Sequence, residues 1–313
     1  MQQPSPSTLD KDIEAFRAVL ARSKRIVVLA GAGLSAASRI TTWRGNTGSL
    51  WRGHDFFKLS TKAAFIDDPS RIWQYNHYLR TMMLNASPNA AHEALARFAV
   101  PQSREKLAPH SAFTLITQNI DGLDRRAIDQ AYNAVGLPSP LAVEEDSQSL
   151  ASTDSAADPL LLEMHGHVAG VLCTDYECKH RTLNLATPIC PALAGTERVT
   201  DVDANGEPEI AVPDLPRCAR CGSLLRPDIV WFTEVPHRIA EVVRVVEGAD
   251  VIMVVGTSAV VHPAATFAAK VKERGGTVAI FNVERSNRDG IADFVFLGPC
   301  EEILPKVLDL GGT

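Results

Sequence analysis

The chain of 313 residues lacks any apolar run near the ~20 residues that a membrane-spanning helix needs, which argues against a helical membrane protein. It also lacks an excess of positive charge. A net charge of −6 speaks against a broad electrostatic grip on nucleic acid or on an anionic membrane. Aromatic residues make up only 6%, with no stripe of aromatic and basic side chains, so a zinc-ribbon nucleic-acid binder is the least favoured class. The opening Met-Gln-Gln-Pro-Ser-Pro-Ser has neither a charged-then-apolar leader nor an Arg-rich amphipathic presequence pattern. The expected compartment is the cytoplasm or nucleus, with the mitochondrion left open. Internal repeats are absent. Cysteines number six, four of them in two close pairs, and without a secretory leader that pattern favours metal over disulfides.

What is present is a series of compact apolar runs at Arg25–Ala30, Phe113–Thr117, Val251–Val255, Thr277–Phe281 and Phe294–Leu297. Helical stretches near 90–99, 238–247 and 264–274 alternate with some of them. Buried strands alternating with helices predict an α/β fold with a doubly wound parallel sheet. Leu9, Ile13, Phe16, Val19 and Leu20 recur at helical spacing, which predicts a first helix behind a disordered tail of residues 1–8. Residues 166–230 break the rhythm, with the paired cysteines and many Pro and Gly. The expected organisation is an α/β domain from 9–165 and 228–313, with a small zinc-binding module at 166–227 inserted into it. Residues 137–158 are rich in Ser, Asp, Ala and Pro and are expected to form a mobile insertion; a second flexible stretch is expected at about 194–214.

Three segments carry chemistry. Gly31 and Gly33 end the first apolar run, where glycine permits positive φ and close backbone approach to a phosphate. A plain strand-to-helix turn explains them equally well. Gln118-Asn119-Ile120-Asp121 follows the second run, where open α/β sheets bind ligands, although Asn119 or Asp121 could simply cap a helix. His165 stands before Gly166 and suits general-base work on a hydroxyl, with His167 its competitor. Cys173-x4-Cys178 and Cys218-x2-Cys221 have the spacing of a closed four-thiolate zinc site, structural rather than catalytic. Cys190, then His180, are the fallback ligands.

Taken in order, Gly31-Ala-Gly-Leu-Ser35, Trp43-Arg-Gly45, Thr117-Gln-Asn-Ile-Asp121, His165-Gly166, the two cysteine pairs, Leu225-Arg-Pro-Asp-Ile-Val-Trp-Phe232, Gly256-Thr-Ser258 and Phe281-Asn282 resemble a sirtuin, over about residues 10–308. Sirtuins are NAD-dependent protein-lysine deacylases. Pro69-Ser-Arg-Ile-Trp73, Ser87-Pro-Asn-Ala90, Thr187-Pro-Ile-Cys-Pro-Ala-Leu193 and Gly298-Pro-Cys300 make the chain most similar to the class III, desuccinylase-type members.

The resemblance implies a Rossmann-like sheet with NAD across its carboxyl edge. It implies that Gly31, Ala32, Gly33, Ser35 and Ala36 approach the phosphates, with Arg44 nearby. Gln118, Asn119, Ile120 and Asp121 would hold the nicotinamide ribose and pocket. Gly256, Thr257, Ser258, Asn282, Val283, Glu284 and Cys300 would surround the adenosine end. The partner implied is an acylated lysine of a protein or peptide, entering between the domains. Val230, Trp231 and Phe232 would pair with its backbone and line the lysine tunnel, His165 would act as base with Asn119 beside it, and zinc would sit on Cys173, Cys178, Cys218 and Cys221. A monomer is expected.

Departures from the family pattern bear on specificity. The desuccinylase type carries a Tyr-x-x-Arg pair for the acyl carboxylate; counted from Trp73, those positions hold Asn76 and Leu79. An unpaired buried carboxylate is costly, so acetyl or a larger neutral acyl group is expected over succinyl or malonyl, with Ser60 leaving room. Tyr75, Tyr78 and Arg80 are close in sequence, but a one-residue shift turns a helical side chain by about 100°. Ala37, Arg39, Thr41 and Trp43 depart from the usual cofactor loop, and Asp124 replaces a common histidine, so NAD affinity is expected to differ. The alternatives are a desuccinylase or demalonylase with a rearranged pocket, an NAD-dependent protein ADP-ribosyltransferase, and a catalytically weak acyl-lysine binding module.

Overall fold

The computed structural model describes residues 6–42, 50–141, 158–199, 207–258, 260–286 and 289–309. In chain order, helix α1 (Pro6–Arg22) leads into β1 (Arg25–Ala30) and a 3-10 turn over Ala32–Ser38. A short hairpin of β2 (Leu50–Trp51) and β3 (His54–Asp55) precedes α2 (Phe56–Leu59), α3 (Lys62–Asp67) and α4 (Pro69–Asn85). Then come α5 (Ala90–Ala99), α6 (Pro101–Arg104), β4 (Ala112–Thr117), α7 (Leu123–Ala134) and β5 (Leu161–Glu163). The strands β6 (Gly166–Cys173), β7 (Arg181–Leu183) and β8 (Leu225–Ile229) follow. The chain closes with α8 (Ile239–Glu247), β9 (Val251–Val255), α9 (Phe267–Glu273), β10 (Thr277–Asn282), β11 (Phe294–Leu297) and α10 (Cys300–Val307).

The main sheet has the order β11-β10-β9-β1-β4-β5, and its pairings are all parallel. Side chains alternate across it. Ile26, Val28 and Ala30 of β1 enter the core under α1, α5 and α10; Val27 and Leu29 enter the opposite core under α8 and α9. Both faces are covered, so the strands are apolar throughout rather than alternating. The chain winds one way from β1 through β4 to β5 and the other way from β9 through β10 to β11. That reversal makes the gap between β1 and β9 the topological switch point, beyond whose strand ends such folds bind ligands. The doubly wound sheet expected from the sequence is therefore present.

A second, antiparallel sheet of order β7-β6-β8 is too small to bury its own face. Ile72, Trp73, Leu79 and Met83 of α4 share a core with Val168, Val171 and Leu225 of that sheet. The segment from Ile40 through α4, placed with the α/β domain by sequence, thus packs with the zinc-side module. Helix α4 starts where Asp68 accepts the Arg71 N–H at 2.8 Å and Pro69 opens the first turn.

Other boundaries shift. Helix α1 begins at Pro6, ahead of Leu9. Leu137 and Leu141, at the start of the expected mobile insertion, pack against the first core, and residues 142–157 lie outside the described residues. The expected flexible stretch near 194–214 is tied down at both described ends. Arg52 donates to the carbonyls of Thr196 (2.6 Å) and Val199 (2.8 Å), and Gln74 to that of Pro208 (2.7 Å). These buried donors, together with Ile210 in the second core, hold the described ends in place.

Candidate functional site: the carboxyl edge of the sheet

The ends of five strands are stitched into one shelf. Gln118 N donates to Ala30 O at 3.0 Å, Gly31 N to Val255 O at 2.9 Å, Gly256 N to Phe281 O at 2.9 Å, and Gly298 N to Asn282 O at 3.0 Å. Gly31 and Gly33 are needed here, but for a different reason from the positive φ expected. Gly31 is extended, at φ −129°. A Cβ on it would lie 2.6 Å from Thr257 Cβ, and one on Gly33 would lie 2.7 Å from Gly256 Cα. The positive φ belongs to Gly256, at +59°, where a Cβ would meet Leu34 N at 2.4 Å. Glycine lets the two loops at the switch point touch backbone to backbone. The 3-10 turn that follows ends at Arg39, a non-glycine residue held at φ +63°.

Beside the glycines a polar network fixes the loop after β4. Ser35 Oγ donates to Asp121 Oδ2 at 2.7 Å, and Asp121 Oδ1 accepts the Leu123 N–H at 2.8 Å. Asn119 Nδ2 donates to Gly31 O at 3.1 Å and to Ser35 Oγ at 3.2 Å. Because a carbonyl only accepts, these contacts orient the amide and leave Asn119 Oδ1 as an acceptor with no partner among the described residues. Burial pushes the Asp121 carboxyl up, against the pull of its two hydrogen bonds. The cap of α7 is Gly122, without a side-chain cap bond, so neither Asn119 nor Asp121 is the cap; Asp121 stands one residue ahead of it, accepts the Leu123 N–H and is wired to the glycine turn through Ser35. Ile120 O accepts the Val168 N–H at 2.7 Å and so joins the loop to β6.

His165 lies in the two-residue link between β5 of the large sheet and β6 of the small one. Its Nδ1 stands 3.0 Å from Gln118 O. A carbonyl cannot donate, so Nδ1 carries the hydrogen and Nε2 is left as the acceptor. Burial is the main influence that lowers its pKa, opposed by the Gln118 carbonyl and aided by nearby His237. His165 is therefore neutral and basic at Nε2 at neutral pH. His167 is engaged otherwise. Its Nδ1 accepts the Ala169 N–H at 2.9 Å, and its Nε2 occupies the space that a Cβ on Gly122 would take, 2.2 Å away. Gly166, at φ +83°, lets β8 pass behind His165, since a Cβ there would lie 2.3 Å from Asp228 O.

The adenosine-side candidates gather at the ends of β9 and β10. Asn282 Nδ2 donates to Thr257 O at 3.3 Å, while Gln118 Nε2 reaches Thr257 Oγ1 at 3.4 Å. Ser258 is half-buried, and Val283 and Glu284 are exposed beyond them. Cys300 starts α10 with its side chain in the first core, its thiol pushed up to about 12 by burial. Ala32 is half-buried and Ala36 exposed on the 3-10 turn, whereas Arg44 lies outside the described residues. Two positioning residues had no clear signal in the sequence. Asn89 donates to Leu34 O and Ser38 Oγ from the cap of α5, and Thr117 Oγ1 accepts the Asn119 N–H.

The proposed substrate segment is less free than expected. Val230 N donates to His165 O, Trp231 N to Glu234 Oε2 and Phe232 N to Ser60 O, at 2.9, 2.9 and 3.0 Å. These N–H groups are engaged within the chain, while the Val230 and Phe232 carbonyls accept no hydrogen bond among the described residues. Trp231 is buried, stacked under the Arg226 guanidinium at 3.6 Å and tilted on Phe65. Phe232 meets Phe57 at 5.0 Å and Phe56 at 6.0 Å. Asn76 and Leu79 lie buried on α4, and neither polar atom of the Asn76 side chain has a partner among the described residues. Arg80 is committed elsewhere, donating to the carbonyls of Val168, Asn184 and Ala186.

The four expected cysteines come together, with their sulfurs all within 4.8 Å of one another. Cys173 and Cys221 are 3.5 Å apart, and Cys178 and Cys218 are 3.7 Å apart. Tetrahedral zinc at a Zn–S distance of ~2.3 Å requires about 3.8 Å between sulfurs, so the residues fit zinc. Cys190 and His180 stand outside this cluster.

A family model described as the Sir2 family matches residues 31–135 and 153–263. An NAD-dependent protein deacylase of Daphnia pulex is 37% identical over 95% of this chain and 96% of its own. A mitochondrial sirtuin-5 deacylase of Canis lupus familiaris is 38% identical over 98% of this chain and 87% of its own. Among solved structures, a Sir2 homologue in complex with NAD superposes with a TM-score of 0.69 at 31% identity, covering 95% of this chain and 92% of that one. The glycine contact at the switch point, the His165 link and the four-thiolate cluster thus stand in a framework shared along nearly the whole chain, and the chain belongs to the Sir2 family.

Proposed function

We propose that the protein removes acyl groups from protein lysine side chains in an NAD-dependent reaction. The observation that carries this reading is the pair of unpartnered acceptors at the switch point, Asn119 Oδ1 and His165 Nε2. A vicinal ribose diol offers two hydroxyl donors to such a pair. NAD would supply the electrophilic ribose carbon, releasing nicotinamide as the acyl group passes to ADP-ribose. The shelf of Gly31, Gly33 and Gly256 to Ser258 would bind and orient the dinucleotide. His165 Nε2 would take a proton from a ribose hydroxyl, with Nδ1 held by Gln118 O. Solved Sir2 homologues carry NAD and 2′-O-acetyl ADP-ribose, and the curated relatives are named NAD-dependent protein deacylases.

The acyl group is proposed to be acetyl or a larger neutral one. Asn76 and Leu79 offer no charge, and Arg80 is bound by three carbonyls, so a succinyl carboxylate would go unpaired. The vertebrate relatives named mitochondrial make a mitochondrial site a second possibility beside the cytoplasm or nucleus.

Matched acetyl-, butyryl- and succinyl-lysine peptides, followed by nicotinamide release with and without NAD, test both statements. Neutral acyl groups should turn over and succinyl should lag. His165→Ala should lower kcat by about 10²–10⁴-fold. Because burial lowers the His165 pKa, the acidic limb of the wild-type kcat profile should lie below the usual ~6.5. Fast desuccinylation would overturn the acyl assignment, and ADP-ribose retained on protein would favour the transferase.

A further inference from the structure

A cavity of about 500 Å³ opens beside the link that carries His165. Its lining joins α3, the small sheet and the loop that follows β8, and includes Lys62, Arg181, Arg226, Asp228, Glu234 and His237. Two features connect it to the site. Val230 forms part of its wall and donates its N–H to His165 O at 2.9 Å. His237, also in the wall, is close enough to depress the His165 pKa.

The charges in this cavity do not cancel. Arg226 grips Glu234 with two bonds, NH1 to Oε1 at 2.6 Å and NH2 to Oε2 at 2.9 Å. Arg181 Nε meets Asp228 Oδ2 at 2.7 Å, and His237 Nε2 approaches Asp228 Oδ1 at 3.4 Å. Both carboxylates are thereby matched by arginines. Lys62 is surplus: it makes no hydrogen bond or ion pair among the described residues, and its field falls on the already paired Glu234. Three cations therefore face two carboxylates in a recess next to the base. Thr233, held at φ +75°, belongs to the same wall, a position that a β-branched residue adopts only when its surroundings enforce it.

The geometry points to this cavity as a substrate subsite that receives an acidic side chain flanking the acyl-lysine, with Lys62 as its counter-charge. This rests on the deacylase reading above and adds a sequence preference to it. Arg181 and Arg226 stay with their own carboxylates and keep the recess polar, while Lys62, exposed on its long stem, turns to the incoming carboxylate. An exposed pair of this kind is modest in strength and screened by salt.

The test uses one neutral acetyl-lysine peptide sequence in which Glu or Gln is placed in turn at each position flanking the lysine, assayed by nicotinamide release. At one position Glu should exceed Gln in kcat/KM by roughly two- to fivefold, through KM, and the advantage should shrink as salt is raised. Lys62→Glu should reverse that preference, with Glu peptides falling below their Gln counterparts in kcat/KM, and the Gln peptides should still turn over with NAD. Equal rates for Glu and Gln at every position, or an acidic preference that survives in Lys62→Glu, would overturn the subsite and leave the deacylase reading standing. Absence of NAD-dependent turnover with every peptide would overturn both.

Discussion

In the large domain the central strands are apolar on both faces, and their side chains alone account for how they stack. In the small domain the strands are few, and much of the backbone is held by side-chain donors. Arg52 bonds the carbonyls of Thr196 and Val199, Trp73 Nε1 that of Leu225, and Arg80 those of Val168, Asn184 and Ala186. Four thiolates close the end of that sheet. The first domain draws on apolar area, which is non-directional and forgiving; the second draws on directional bonds, each of which leaves a buried group unsatisfied when lost. His165, the proposed base, sits on the link between the two.

The comparison breaks most readily at the metal. Structural zinc contributes on the order of 10 kcal/mol to the folding of its module, so its removal should unfold the small domain first. The chain reports on this unaided. Trp51, Trp73 and Trp231 all lie in the second core, and the fourth, Trp43, lies outside the described residues. Chelation, or Cys218→Ser, should change tryptophan fluorescence and abolish nicotinamide release while most far-UV circular dichroism persists. Simultaneous collapse of both signals would mean that the domains are not energetically separable.

This division also governs what could be read from the amino acids. The β1, β4, β9, β10 and β11 runs were legible because a buried parallel strand needs little beyond apolar residues, and the cysteines because spacing is enough to suggest a tetrahedral site. Gly31 and Gly33 were legible as a turn, but not the reason for them, which is contact with Gly256 from a strand far along the chain. His165 and His167 were indistinguishable until Gln118 O and the Ala169 N–H separated their tautomers. The allegiance of α2–α4 to the small sheet, and the carbonyls held by Arg52 and Arg80, depend on partners 88 to 147 residues away. No local period or spacing encodes such contacts.

A smaller change sharpens the contrast. Arg80 is fully buried, with no carboxylate paired to it among the described residues, and burial lowers its pKa to about 10. Arg80→Met keeps the stem but strips three carbonyls, one in β6 and two in the loop after β7, of their donor. The expected loss is about 3–5 kcal/mol in urea denaturation followed by tryptophan fluorescence. A loss within about 1 kcal/mol would mean that water replaces the guanidinium without cost, and that the small domain is less dependent on directional bonds than its geometry suggests.

The last test reverses the roles of the two regions, since the large domain also holds a misplaced charge. Asp124 on α7 is buried, and neither oxygen makes a hydrogen bond among the described residues; the Thr117 hydroxyl stands near enough to favour the ionised form without meeting bonding geometry. Burial and then the neighbouring Asp121 push this carboxyl up to about 7. The sign follows from proton counting. Between about pH 4 and pH 7 the folded chain keeps a proton that the unfolded chain has released, so stability falls as pH rises through that window and levels off above it. Asp124→Asn mimics the protonated side chain at every pH. It should leave stability unchanged near pH 4 and raise it by about 4 kcal/mol at pH 8, read as a change in Tm at the two pH values. An equal effect at both would assign the gain to packing, whereas a loss at pH 8 would mean that the ionised carboxylate has a partner in solution.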